Sequence, residues 1–213
     1  MIAIIKGDII NSRNISNPES WLVPLKQLFS QWGNNPEQWE LVWGDFFQLE
    51  VADPAKVLTK ALTIKALIKK IPPFNKNQKI SPIDVRMSIG IGEKTYTGTR
   101  ISESNGEAFI FAGEEFEKLK KAKTNLLIQT AYPDFDEEMN LYLKLISTFI
   151  DKWSNSSAEL ALEVLQNPNI SQSEIGKLFG IRQNSVSGRW NRAKIDEILE
   201  VIKIFQKKSE KLF

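Results

Sequence analysis

The sequence predicts a mixed α/β domain followed by a small all-helical one, on three observations. Residues 83–91, Ile-Asp-Val-Arg-Met-Ser-Ile-Gly-Ile, alternate with the period of a strand. The stripes from Trp21 to Trp32 and from Val57 to Ile71 repeat instead with the period of a helix, and the two kinds of segment succeed one another as β-α-β-β-α-β-α-β-α. Beyond Ser154 no strand pattern occurs, and the run from Ser171 to Arg189 has the turn chemistry of two short helices meeting at a sharp angle.

The elements follow in order. Residues 2–5 form a short apolar run, read as a first strand ended by Lys6-Gly7-Asp8. Asn17-Pro18 opens a helix carrying Trp21, Leu22, Leu25, Leu28, Phe29 and Trp32. Trp39 to Val51 holds alternating aromatic and aliphatic residues around Gly44-Asp45, a pair suited to a tight hairpin. Pro54 suits a helix start, and the helical stripe that follows ends at Pro72-Pro73. Residues 74–82 predict a polar loop, 105–121 a helix and 125–129 a last strand. After Pro133, the residues Met139, Tyr142, Leu143, Ile146, Phe149, Ile150 and Trp153 fall on one helix face. The polar run Ser154-Asn155-Ser156-Ser157 marks the boundary between domains at 1–153 and 154–213. Trp21, Trp32, Trp39 and Trp43 read as core residues.

With 42% hydrophobic and 25% charged residues, the 213-residue chain has an ordinary globular composition. It contains no cysteine and no histidine, which excludes disulfides, thiolate nucleophiles, Ser-His-Asp triads and zinc sites built on those ligands. Any metal would be hard and oxygen-bound. No apolar run approaches the roughly 20 residues of a membrane span, and the N-terminus lacks signal-peptide features, so the expectation is a cytoplasmic protein with no membrane partner.

In the C-terminal part, Ser171-Gln-Ser-Glu174 fits a capping box, Gly176 is small where two helices would cross, and Gly180 suits a left-handed turn. Ile181 and Val186 would fill the wedge. Residues 171–194 carry Lys177, Arg182, Arg189, Arg192 and Lys194 against the single acid Glu174. This run resembles the helix-turn-helix of bacterial regulators and of sigma-factor promoter-reading domains. The resemblance implies a duplex DNA partner, with Arg182, Gln183, Asn184, Ser185 and Ser187 contacting bases or phosphates and Arg189 and Arg192 contacting phosphates. The tail stripe Ile195, Ile198, Leu199, Ile202 and Phe205 is open to two readings, a core face or a homodimer seam.

Two acids stand out in the first domain. Asp8 follows the first strand and Asp45 sits at the hairpin turn. The element order brings both to one end of the sheet, where they could hold Mg2+ or Mn2+ and through it nucleotide phosphates; the alternative is that they are turn and capping residues. Gly90, Gly92 and Gly98 are candidates for a phosphate-hugging loop. Gly7-Asp8-Ile9-Ile10, Gly44-Asp45 and Val85-Arg-Met-Ser-Ile-Gly-Ile-Gly92 together resemble the palm-like, ferredoxin-like fold of class III nucleotide cyclases and GGDEF diguanylate cyclases. That resemblance implies a nucleotide bordered by Asp8, Ile9, Gly44 and Asp45, with Asp8 and Asp45 as metal ligands. The Asn and Arg that class III cyclases carry on the helix after the later strand are missing from Ala112-Gly-Glu-Glu-Phe-Glu-Lys-Leu-Lys120. Lys94 and Arg100 could supply positive charge from another position. Over its full length the chain is similar to the SatD-type family of bacterial proteins, notably at Ser104-Asn-Gly-Glu-Ala-Phe109.

Three functions stay open on these residues. The first is a DNA-binding transcriptional regulator whose cyclase-like domain senses a ligand or dimerises. The second is a metal-dependent nucleotidyl cyclase-like enzyme with accessory helices, and the third is a protein-interaction adaptor.

Overall fold

The computed structural model describes the chain from Met1 to Phe213 except Trp43, residues 73–80, Lys120 and Lys123. The expected loop at 74–80 and the core placement of Trp43 therefore lie outside the described residues. Five strands and eight α-helices are described. In order they are β1 (Ile2–Ile10), α1 (Glu19–Ser30), β2 (Trp39–Val42), β3 (Phe46–Val51), α2 (Val57–Lys69), β4 (Asp84–Gly92), α3 (Glu107–Leu119), β5 (Leu126–Gln129), α4 (Pro133–Ile150), α5 (Asn155–Gln166), α6 (Gln172–Phe179), α7 (Gln183–Ala193) and α8 (Ile195–Leu212). No helix among the described residues is long and apolar enough to cross a membrane.

The strands form one mixed sheet in the order β2-β3-β1-β4-β5. β1 is antiparallel to β3 and β4, β2 and β3 form the hairpin, and β5 runs parallel to β4 after the α3 crossover. β1 does not stop at Lys6-Gly7-Asp8; it continues to Ile10 because it is the central strand and its backbone is paired on both edges, with Asp8 opposite Phe46 on one side and Arg86 on the other. Ladder hydrogen bonds belong to the backbone, so polar side chains do not interrupt it.

Alternation then sorts the side chains. Ala3, Ile5 and Ile9 join Leu49, Met87 and Ile89 in the principal core beneath α1, α2 and α4. The other face carries Ile4, Lys6 and Asp8 beside Gly90, Ser88 and Arg86. Among the described residues α3 and Ile101, in the turn before it, cover this face through a small cluster of Ile4, Ile101, Ala108, Phe109 and Ala112. A Cβ on Gly90 would lie 2.2 Å from the Ala108 carbonyl oxygen and one on Gly92 2.7 Å from the Glu107 Cβ. These two glycines admit the helix, and Gly98 packs in the same way against Glu103, so they form no phosphate loop.

The run Ser154–Ser157 is the start of α5 rather than a bare break. Ser154 Oγ accepts from the Ser157 N–H, and Asn155 Nδ2 donates to the Lys69 and Ile71 carbonyls at the end of α2. Trp153 Nε1 donates to the Ala193 carbonyl at 2.9 Å. One contiguous apolar cluster runs from the sheet through these helices, and it contains Ile195, Ile198, Ile202 and Phe205. The α8 stripe is thus core within the chain, and a second copy would have to meet another surface.

Candidate functional site

The α6-turn-α7 unit is built by local chemistry. Ser171 Oγ accepts from the Glu174 N–H at 3.2 Å, while Glu174 Oε2 accepts from the Ser171 hydroxyl at 2.6 Å and its N–H at 2.8 Å. Those bonds hold the Glu174 carboxyl below the usual range. Gly180 ends α6 in the left-handed conformation, φ 62°, and Ile181 N–H returns to the Gly176 carbonyl at 2.9 Å. A Cβ on Gly176 would stand 3.0 Å from the Ile181 oxygen and 3.6 Å from a Val186 methyl, so the absence of a side chain sets how closely the helices cross. Ile175 and Val186 are fully buried in that wedge.

Arg182, Gln183, Asn184 and Ser185 all lie exposed at the start of α7. No side chain caps this helix among the described residues, and the Ser185 and Val186 N–H groups donate to the Arg182 carbonyl. Ser187 is half-buried and Arg192 exposed. Arg189 pairs with Glu159 at 3.3 Å, and its guanidinium lies 5.9 Å from the Phe179 ring centre. Lys177, exposed on α6, is a further cation of this surface. From Ile175 to Ile195 the chain holds no acid at all.

On the sheet face left partly open by α3, a cavity of about 350 Å³ is lined by Lys6, Asp8, Asp45, Phe46, Gly113, Phe116 and a third acid, Glu117. Asp8 and Asp45 are thus brought together, since β3 enters the sheet beside the end of β1 and Ile9 N–H donates to the Asp45 carbonyl at 3.1 Å. The Ile9 side chain points into the core, and Gly44 is an exposed turn residue with φ +92°. Asp8 is held by Arg86 through Nε at 3.1 Å and Nη2 at 2.8 Å, and Asp45 Oδ2 accepts from Ser12 Oγ at 2.8 Å. Arg86 therefore supplies a built-in cation. No group of three His, Cys, Asp or Glu residues able to share an ion occurs among the described residues, and Asp8 and Asp45 each have one oxygen engaged, by Arg86 and by Ser12.

Lys6 and Arg86 carry this site as much as the two acids do. Their signal lay in the register, because Lys6, Asp8 and Arg86 share a face only once β1 and β4 are paired. Burial holds the Lys6 ammonium below the ordinary lysine value, and no acid pairs with it among the described residues. Lys94 and Arg100 are tied elsewhere, to Glu50 at 2.7 Å and to Glu40 respectively. Neither a protein-family model nor a curated protein matches the chain.

Proposed function

We propose that the chain is a DNA-binding transcriptional regulator in which α6 and α7 form a helix-turn-helix and α7 enters the major groove. The observation that carries this reading is the exposed start of α7, where Arg182, Gln183, Asn184 and Ser185 lie exposed in a stretch free of acids. Gln and Asn pair bidentately with adenine, Arg with guanine, and uncapped helix N–H groups suit a phosphate. Such a partner implies a cytoplasmic protein.

The sheet-bearing part reads as a palm-like, ferredoxin-like domain of the nucleotide cyclase kind, with a sensing or pairing role. Support comes from the antiparallel order β2-β3-β1-β4 with β5 added in parallel, and from the shared cavity of Asp8 and Asp45. The block Ser104–Phe109 supports kinship with the SatD-type family.

The test is fluorescence anisotropy of the full chain against a pool of genomic duplex fragments. Affinity should fall with salt by a log-log slope of about one per phosphate neutralised. Arg192→Ala should weaken all sequences alike, and Arg189→Ala should do so less because that side chain is engaged with Glu159. Gln183→Ala should relax sequence preference by about 1–3 kcal/mol at one base position. Absence of binding at low salt sinks the proposal.

The cavity of Lys6, Asp8 and Asp45 favours a second reading alongside the first, a bound nucleotide that is not turned over. The Arg86 pair neutralises Asp8, and Lys94 and Arg100 are committed to acids. Calorimetry with ATP and GTP in Mg2+ or Mn2+ should show binding that is lost in Asp45→Asn, with no product in a parallel assay. Product formation would move the protein to the enzyme class.

A further inference from the structure

A separate cavity of about 390 Å³ lies at the junction of α1, α2, α5 and α8, on the core side of the sheet. Lys56 and Lys60, one helical turn apart, line it together with Thr59 and Thr63. The end of α1 brings Gln31 and Trp32, α5 brings Gln166 and α8 brings Gln206. Among the described residues no carboxylate lines it.

Lys56 is paired with Asp53 at 3.0 Å. Lys60 has no acid partner among the described residues, and its ammonium rests 4.0 Å from the Trp32 ring centre. Burial, and after it the charge of Lys56, brings the Lys60 pKa down to about 8. Thr59 Oγ1 is buried without a hydrogen-bond partner. A lysine with no acid partner among the described residues, a neighbouring like charge, a buried hydroxyl without a partner and three amides make a donor-rich chamber suited to an anion bearing oxygen acceptors.

We propose that this junction cavity binds a small organic oxyanion, a phosphate monoester or a carboxylate, with Lys60 as its counter-ion and Gln31, Gln166 and Gln206 as flanking amides. The site is independent of the DNA surface and of the Lys6 cavity, which lies on the opposite face of the sheet. Occupancy bridges α1 and α2 to α5 and α8, and so raises the unfolding temperature. It also takes up a proton. Lys56 is the other charged group facing Lys60; α1, α5 and α8 present Gln31, Trp32, Leu165, Gln166 and Gln206, none of which titrates. Above pH 8 the free Lys60 amine is largely neutral, and an adjacent anion favours its ammonium form.

The experiment is calorimetry of the full chain with sulfate, standing for the phosphate ester, and with succinate, in two buffers of different ionisation enthalpy. At least one anion should bind, with proton uptake at about pH 8.5 and none at about pH 6.5, and the tighter of the two names the source. Lys60→Met keeps the aliphatic stem on Trp32 and should weaken binding by about tenfold or more. Lys60→Arg should retain binding but lose the proton uptake, because a guanidinium does not titrate there. Lys6→Ala should leave all of this unchanged. No binding of either anion, equal affinity in Lys60→Met, or uptake that persists in Lys60→Arg would overturn the proposal.

Discussion

Asp84→Ala is expected to lower the free energy of unfolding by about 3–5 kcal/mol, the range for leaving a buried charge without its partner. Asp84 stands at the start of β4, where its two oxygens meet Lys65 Nζ at 2.6 Å and Lys69 Nζ at 3.4 Å. Both lysine side chains are only 3% exposed. Lys65 also reaches Asp151 at 2.5 Å beyond the end of α4, and Asn125 Nδ2 donates to the other Asp151 oxygen at 3.2 Å. Removing Asp84 leaves Lys69 with no anion and Lys65 with one. The urea midpoint should fall accordingly, with the slope unchanged. Lys69→Met added to Asp84→Ala should recover part of the loss, since an apolar side chain carries no charge to strand. A midpoint within error of the parent would show the network to be energetically idle.

Gly90→Ala should cost about 3 kcal/mol, at the upper end for overpacking, because the obstruction is backbone. The new Cβ would lie 2.2 Å from the Ala108 oxygen and 2.4 Å from the Ala112 nitrogen, so α3 has to lift off β4. Lifting it also breaks the 2.6 Å bond from Ser88 Oγ to the Ala112 carbonyl. For a chain of this size the melting temperature should drop by roughly 6–12 °C. Gly113→Ala is the control. Its Cβ would meet only the mobile end of Lys6, at 3.2 Å, and a helical Gly→Ala change is neutral or stabilising there. Equal losses in the two variants would remove α3 docking as the cause.

The features legible in advance are those whose causes lie within a few residues. The Ser171–Glu174 capping box, the left-handed Gly180 and the hairpin at Gly44-Asp45 each depend on side chains and dihedrals inside one turn, and each stands where the residues predict it. The convergence of Asp8 and Asp45 was legible too, because element order alone brings β3 beside β1. Arg86 was not. Its claim on Asp8 depends on the pairing register of strands 78 residues apart, and a shift of one residue would turn it to the other face. Arg189 was equally hidden, since its partner Glu159 lies on a different helix.

Periodicity and turn chemistry in the sequence by themselves determined the element order, the sharp α6-α7 turn and the absence of acids around the start of α7. These are local properties, set by side-chain spacing and backbone preference. Only the tertiary structure decided what each face meets. The helical stripe of α2 predicts one buried side, yet α2 is buried from Val57 to Lys69 except at half-buried Thr59 and Lys60, because α5 and α8 close over the side away from the sheet. That closure puts Lys65 and Lys69 into an ion network and leaves Lys60 in a chamber without a counter-ion. The α8 stripe fits a core or a dimer equally well as a pattern, and it became core because α4 and α2 lie beside it. Burial is a property of the pair of surfaces in contact, and the second surface comes from residues remote in the chain.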